Sequence, residues 1–132
     1  MEIRKYTAAD EAALFALLRW EGEEWEEYHG PAGRERYAQA LIGSAAYVAL
    51  LDGEICGFVR CREDFGFGLY VHDLLVKREC RGRGIGRMLM ERALADFAGQ
   101  AGYVMSDEDG YYERLGYRRI GSVFEAVPAR EP

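Results

Sequence analysis

From Val76 to Arg87 the chain reads Val-Lys-Arg-Glu-Cys-Arg-Gly-Arg-Gly-Ile-Gly-Arg. Gly82, Gly84 and Gly86 remove side chains where main chain must come close to a ligand. The amides at the start of a helix have no internal acceptors, and the helix dipole favours an anion there. Arg81, Arg83 and Arg87 add mobile positive charge. The stretch Arg81-Gly82-Arg83-Gly84-Ile85-Gly86-Arg87 is therefore read as a cradle for a diphosphate. It is not a P-loop, because no Gly-Lys-Ser/Thr follows. Nor is it the dinucleotide fingerprint, which needs Gly-x-Gly-x-x-Gly where this chain alternates Gly82-x-Gly84-x-Gly86.

Such a cradle needs a strand before it and a helix after it. Residues 67–76 form the longest strand expected, and residues 87–98, with Met88, Leu89, Leu94 and Phe97, form the clearest amphipathic helix. Upstream, residues 2–6 read as a first strand. Thr7 and Asp10 mark a helix start, and Leu14, Leu17 and Leu18 form its apolar stripe. A second helix is expected near residues 34–42. Strands at 47–51 and 54–62 flank Asp52-Gly53, a hairpin turn signal. Downstream come a short buried strand at 103–105, helical turns at 111–115 ended by Gly116, a closing strand at 117–125 and a loose tail at 127–132. This order implies an α/β (α+β) domain with a mixed, mostly antiparallel central sheet flanked by helices.

Length and composition set the outer bounds. The 132 residues fit one domain, with 1–126 as its core. No apolar run approaches the ~20 residues of a membrane span. The net charge of -6 argues against a nucleic-acid surface, which needs a basic stripe. Cys56, Cys61 and Cys80 form no CxxC pair, which argues against a disulfide framework and a zinc site. Reduced thiols and a cytoplasmic location are expected, with no metal and no membrane partner. A homodimer is left open.

The pattern Arg81-x-x-Gly84-x-Gly86 resembles the acetyl-CoA signature of the GCN5-related N-acetyltransferase family. A second match, Gly110-Tyr111-Tyr112-Glu113-Arg114-Leu115-Gly116-Tyr117, is similar to that family's late Tyr-Glu-Lys-Leu-Gly-Phe segment. With the element order, the two motifs cover nearly the whole chain. No Asn precedes the late tyrosine as it often does in the family, and the link from Met105 to Gly110 is short.

The resemblance implies the acyl-CoA N-acyltransferase fold, with acetyl-CoA as co-substrate and direct transfer to the amine of a small molecule or peptide. It implies that the main chain of Leu74 polarises the acetyl carbonyl, with Leu75 and Val76 beside the pantetheine. Tyr112 matches the general acid; a phenol of pKa ~10 is protonated at neutral pH. His72 and Tyr70 stand where members often carry a Glu or His on the fourth strand. They share strand parity, and an imidazole titrates in the useful range for a base. Asp73 is the alternative base, although alternation turns it away unless a bulge intervenes. Glu21 and Trp25 belong to an acidic, aromatic segment that would suit a cationic acceptor. The plainer reading of that segment, a solvated helix face with Trp25 and Tyr28 continuing the core stripe, takes precedence. Two alternatives to the enzyme remain: an idle acyl-CoA-binding sensor or regulatory module on this fold, and a nucleotide-phosphate binder using the same helix start.

Overall fold

A computed structural model describes residues 1–129. Its centre is a five-stranded sheet in the spatial order β1-β2-β3-β4-β5, formed by Glu2–Lys5, Ala45–Leu51, Glu54–Glu63, Leu69–Val76 and Gly102–Val104. The first four strands pair antiparallel, and β5 lies parallel to β4. The mixed, mostly antiparallel sheet expected from the sequence is therefore present. Asp52 and Gly53 both take positive φ, 53° and 81°, as a tight two-residue hairpin between β2 and β3 requires.

Helices cover both faces. On one face lie α1 (Glu11–Glu21), the single turn α2 (Glu26–His29) and α3 (Arg34–Ile42). Leu14, Phe15, Leu17 and Leu18 of α1 join Tyr37 and Leu41 of α3 over Val48, Phe58 and Leu75. On the other face α4 (Ile85–Asp96) buries Ile85, Leu89, Met90 and Ala93 against Tyr47, Val59, Cys61 and Val71. The i, i+4, i+8 spacing of Ile85, Leu89 and Ala93 places them on one helical stripe. Each fully buried large apolar side chain contributes about 1.5–3 kcal/mol.

Polar ties fix the two helical layers to the sheet. The Asp10 carboxylate accepts both terminal nitrogens of Arg4, at 2.8 and 2.9 Å, and the Thr7 amide at 2.9 Å, so β1 is bound to the start of α1. Arg4 and the Thr7 amide hold the Asp10 carboxyl below its ordinary pKa. Tyr47 donates to Asp96 at 2.8 Å, and Arg92 donates to the Ile3 carbonyl at 3.1 Å, so the far end of α4 is anchored as well.

Near the C-terminus one expectation holds and one changes. The expected helical turns are present as α5 (Asp109–Arg114), ending before Gly116, whose φ is 87°. The closing strand at 117–125 is absent: no strand follows β5 among the described residues, and residues 118–129 are exposed. The core thus ends near Tyr117, short of residue 126. Tyr117 itself is tied back, its amide donating to the Tyr112 carbonyl at 3.0 Å. The expected tail at 127–132 is exposed through 129, and its last three positions lie outside the described residues.

Candidate active site

The glycine-rich turn lies between β4 and α4. After β4 the chain makes a 3-10 turn at Arg78–Cys80 and then reaches Arg81. Gly82 and Gly84 take φ of 81° and 78°, the left-handed region that disfavours a Cβ, and nothing within 4 Å would oppose one sterically. The backbone conformation therefore demands glycine there, and the space beside it stays open. The Met88 amide bonds the Gly84 carbonyl at 3.0 Å. The amides of Ile85, Gly86 and Arg87 precede that first turn and have no intrahelical acceptor. Gly86 is buried for a different reason: a Cβ there would strike the Tyr111 hydroxyl and meet Val76 Cγ2 at 3.6 Å. Glycine at 86 lets α5 close onto the start of α4.

The arginines divide. Arg81 is not the mobile cation expected from the sequence. Its Nε donates to the Val76 carbonyl at 2.9 Å and one terminal nitrogen to Glu21 at 3.3 Å. The other Glu21 oxygen accepts the Arg78 amide at 3.1 Å. Glu21, considered from sequence as part of an acceptor wall, is instead beside the glycine-rich turn and braces it. Arg87 lies 3.9 Å from Glu91 across one helical turn. Arg83 is exposed and has no ion pair among the described residues.

Beside this turn the sheet splits. β5 pairs with β4 only at Leu69, Tyr70 and Val71. From Asp73 to Val76, β4 keeps its β3 partners Arg60, Val59, Phe58 and Gly57 but has no β5 partner. The result is a wedge that opens toward the start of α4. Leu74 and Val76 pack on the α4 face with Ile85, Tyr112 and Tyr117. Leu75 turns to the other face, into the core of α1 and α3. Tyr112 stacks on Tyr117, with centroids 6.1 Å apart and planes 15° from parallel, and meets Tyr111 edge-on at 5.1 Å. Burial, followed by the charge of Asp107, pushes the Tyr112 phenol up to about 12.

The opposite side of β4 carries the expected base. The β3–β4 register shifts between Arg60 and Cys61: Arg60 faces Asp73 while Cys61 faces Val71, leaving His72 as the extra residue of a bulge. Tyr70 and His72 share a cleft of about 390 Å³ with Arg62, Glu63, Asp64 and Phe65. His72 is exposed on one side, but partial desolvation lowers its pKa, and Arg60 and Arg62 lower it further against the opposing pull of Asp73.

The bulge also turns Asp73 toward α3. Its Oδ2 accepts the Tyr37 hydroxyl at 2.7 Å and Arg60 Nε at 2.7 Å. Sequence reasoning named neither Tyr37 nor Arg60. They lie on α3 and β3, and only the fold brings them to Asp73. Trp25 stands 5.9 Å from Phe58 and 5.5 Å from Tyr28, so it continues the core stripe as the plainer reading had it.

A larger cleft, about 750 Å³, lies at the far end of α4 among Lys5, Tyr6, Ser44, Arg92, Asp96 and Phe97. It shares Arg62 and Glu63 with the His72 cleft and touches neither the glycine-rich turn nor Tyr112. The described residues contain no group of three His, Cys, Asp or Glu able to hold a metal, and no helix long and apolar enough to cross a membrane. All three cysteines are free.

Comparison with known proteins gives the family and the fold. The family model for the acetyltransferase (GNAT) domain matches residues 43–119. An uncharacterized N-acetyltransferase of Methanocaldococcus jannaschii is 29% identical over an alignment of 135 residues, spanning 89% of this chain and 78% of its own. The chloroplastic serotonin N-acetyltransferase 2 of Oryza sativa is 36% identical over 70 residues, 49% of this chain and 35% of that protein. Among solved structures, an aminoglycoside acetyltransferase from an uncultured soil metagenomic sample superposes with a TM-score of 0.74. It is 26% identical, over 97% of this chain and 98% of that one.

Proposed function

Because the chain belongs to the GNAT family of acetyltransferases, we propose that it carries acetyl from acetyl-CoA directly to a primary amine of a small-molecule or peptide acceptor. The observation that carries this reading is the open turn at Gly82 and Gly84, followed by amides of Ile85, Gly86 and Arg87 that have no helical acceptor. That arrangement suits the bridged phosphates of the coenzyme. Arg83 and Arg87 supply charge to the phosphates. Arg81 acts through its brace to Val76 and Glu21.

The chemistry then divides among three groups. The main chain at Leu74 lies on the unpaired flank of β4 and donates to the acetyl carbonyl, where negative charge grows as the amine attacks. Val76 and the main chain of Leu75 border the pantetheine arm. His72 accepts a proton from the incoming ammonium, directly or through water. Its lowered pKa keeps the imidazole neutral and receptive at pH 7. Asp73 is the poorer base, because Tyr37 and Arg60 already occupy its Oδ2. Tyr112 donates the proton that neutralises the departing sulfur, so a C–N bond forms, the C–S bond breaks and CoA leaves as a thiol. Tyr70 borders the acceptor beside His72.

Relatives named for serotonin and for aminoglycosides support an amine acceptor without selecting one. A panel of amines and peptides, assayed by release of CoA thiol, tests the proposal. Turnover with at least one amine is expected. Stabilisation by NAD but not by CoA in a thermal shift would reject the coenzyme reading. CoA binding with no turnover across a broad panel would favour the idle sensor.

A further inference from the structure

Asp73 is buried, and a buried carboxylate needs partners. Its partners come from two other elements. Tyr37 reaches it from α3, and Arg60 reaches it from the directly opposite position of β3, both at 2.7 Å and both on Oδ2. Arg60 is itself held: its Nη1 donates to the Ser44 hydroxyl at 3.2 Å, and its guanidinium lies 5.5 Å from the Tyr37 ring centre. One oxygen thus joins α3, β3 and β4 at the bulge that displaces His72.

A bulge is the place where a strand pair can change register, and a one-residue slip turns every following side chain to the other face. Here the following residues are Leu74, Leu75 and Val76. Leu74 and Val76 face α4, and Leu75 faces α1 and α3. A slip would reverse them and re-aim the unpaired main chain of the wedge. It would also move His72, which the bulge presents to its cleft.

We propose that Tyr37 and Arg60 are positioning residues: through Asp73 they lock the bulge and so hold His72 and the Leu74 main chain in working geometry. The kinetic part of this inference rests on the acetyl-transfer reading; the structural part does not. Asp73 is accordingly the anchor of the site and not its proton acceptor. Loss of one clamp bond loosens the bulge short of that full slip, so the effect falls on His72 and the Leu74 main chain, and on kcat more than on coenzyme binding.

The test uses Tyr37→Phe, Arg60→Met and the milder Arg60→Lys in the full chain. Hydrogen exchange of amides 71–75 in the free protein reads the lock itself. Exchange faster by about tenfold or more is expected at the protected amides of this stretch in Tyr37→Phe and Arg60→Met, with β1 and β2 unchanged. In turnover, kcat should fall by about tenfold or more while KM for acetyl-CoA stays within about twofold, and Arg60→Lys should recover part of the loss. Wild-type exchange in Tyr37→Phe and in both Arg60 variants overturns the lock, whatever the chain catalyses. Faster exchange with unaltered kcat overturns the positioning role. A wild-type chain with no acetyl transfer sinks the reaction reading, and the exchange data still decide the lock. Should Arg60→Met fail to fold, Tyr37→Phe and Arg60→Lys carry the same comparison.

Discussion

The pKa values of Tyr112 and His72 are displaced in opposite directions, each toward the neutral form of its group. Burial holds the Tyr112 phenol up to about 12, so it remains a proton donor throughout the neutral range. Tyr112→Phe keeps the stacking ring and removes only the proton. We expect kcat to drop by about a hundredfold or more with CoA affinity unchanged, read by steady-state kinetics and calorimetry. A full-rate variant would remove Tyr112 as the acid. For His72 the sign runs the other way. Partial desolvation in its cleft and the nearby arginines lower its pKa below the ordinary 6.5, although the ring is exposed at one side, so the active neutral form is regained as pH rises through a value under 6.5. In wild type, kcat/KM should climb with pH through that region and then level off; in His72→Ala this limb should vanish. Protonation of His72 also favours the unfolded chain, so its share of stability is present above 6.5 and lost as pH falls through the lowered value. The profile is therefore to be collected where both proteins remain folded. The places of Tyr112 on α5 and His72 on β4 could be read from the sequence, through the late motif and the family's fourth-strand position, and their roles stand as proposals. The meeting of Tyr37 and Arg60 with Asp73 could not, since they are 36 and 13 positions from it and no local spacing connects them.

At the scale of elements, the glycine-rich turn makes two separate demands. Gly84 is required by its φ of 78°, a conformation costly for a β-branched residue, whereas Gly86 is required by the nearness of the Tyr111 hydroxyl. Gly84→Val and Gly86→Ala should each weaken acetyl-CoA binding by about tenfold or more, measured by titration calorimetry. They differ in repair. Tyr111→Phe removes the atom that an added methyl would strike, so it should restore part of the affinity in Gly86→Ala and none in Gly84→Val. Equal behaviour of the two double variants would contradict this division. The turn was legible because glycine at 82 and 84 reveals main-chain geometry directly, whereas the arginines did not reveal their partners. The bulge at His72 was not. Val71, His72 and Asp73 are ordinary strand residues, and the extra residue shows only when β3 supplies the register. Glu21 was misplaced for a related reason: its partners Arg78 and Arg81 lie about sixty positions away, so its acidic neighbours in sequence gave it the wrong company.

At the scale of the whole molecule, two apolar layers sandwich one sheet, and the proposed site lies where β5 leaves β4. The sheet was largely readable, because Asp52-Gly53 announces its hairpin and alternating apolar residues mark its strands. The closing strand was misread on the same grounds. Residues 117–125 carry Ile120, Val123 and Phe124, which read as strand apolars, but these side chains are exposed and the segment pairs with no strand among the described residues. Pattern reports what a segment could pair with; the pairing itself needs a partner edge, and β5 offers only three residues. This contrast has a measurable consequence. Leu18 is 0% exposed in the α1 layer and Phe124 is 88% exposed. In urea unfolding, Leu18→Ala should cost about 2–5 kcal/mol, the range for emptying a packed leucine site. Phe124→Ala should stay within about 0.5 kcal/mol, as a surface change does. If the two losses proved equal, Phe124 would have to pack in solution, the core would extend past Tyr117, and the sheet would have found an edge for residues 117–125 after all.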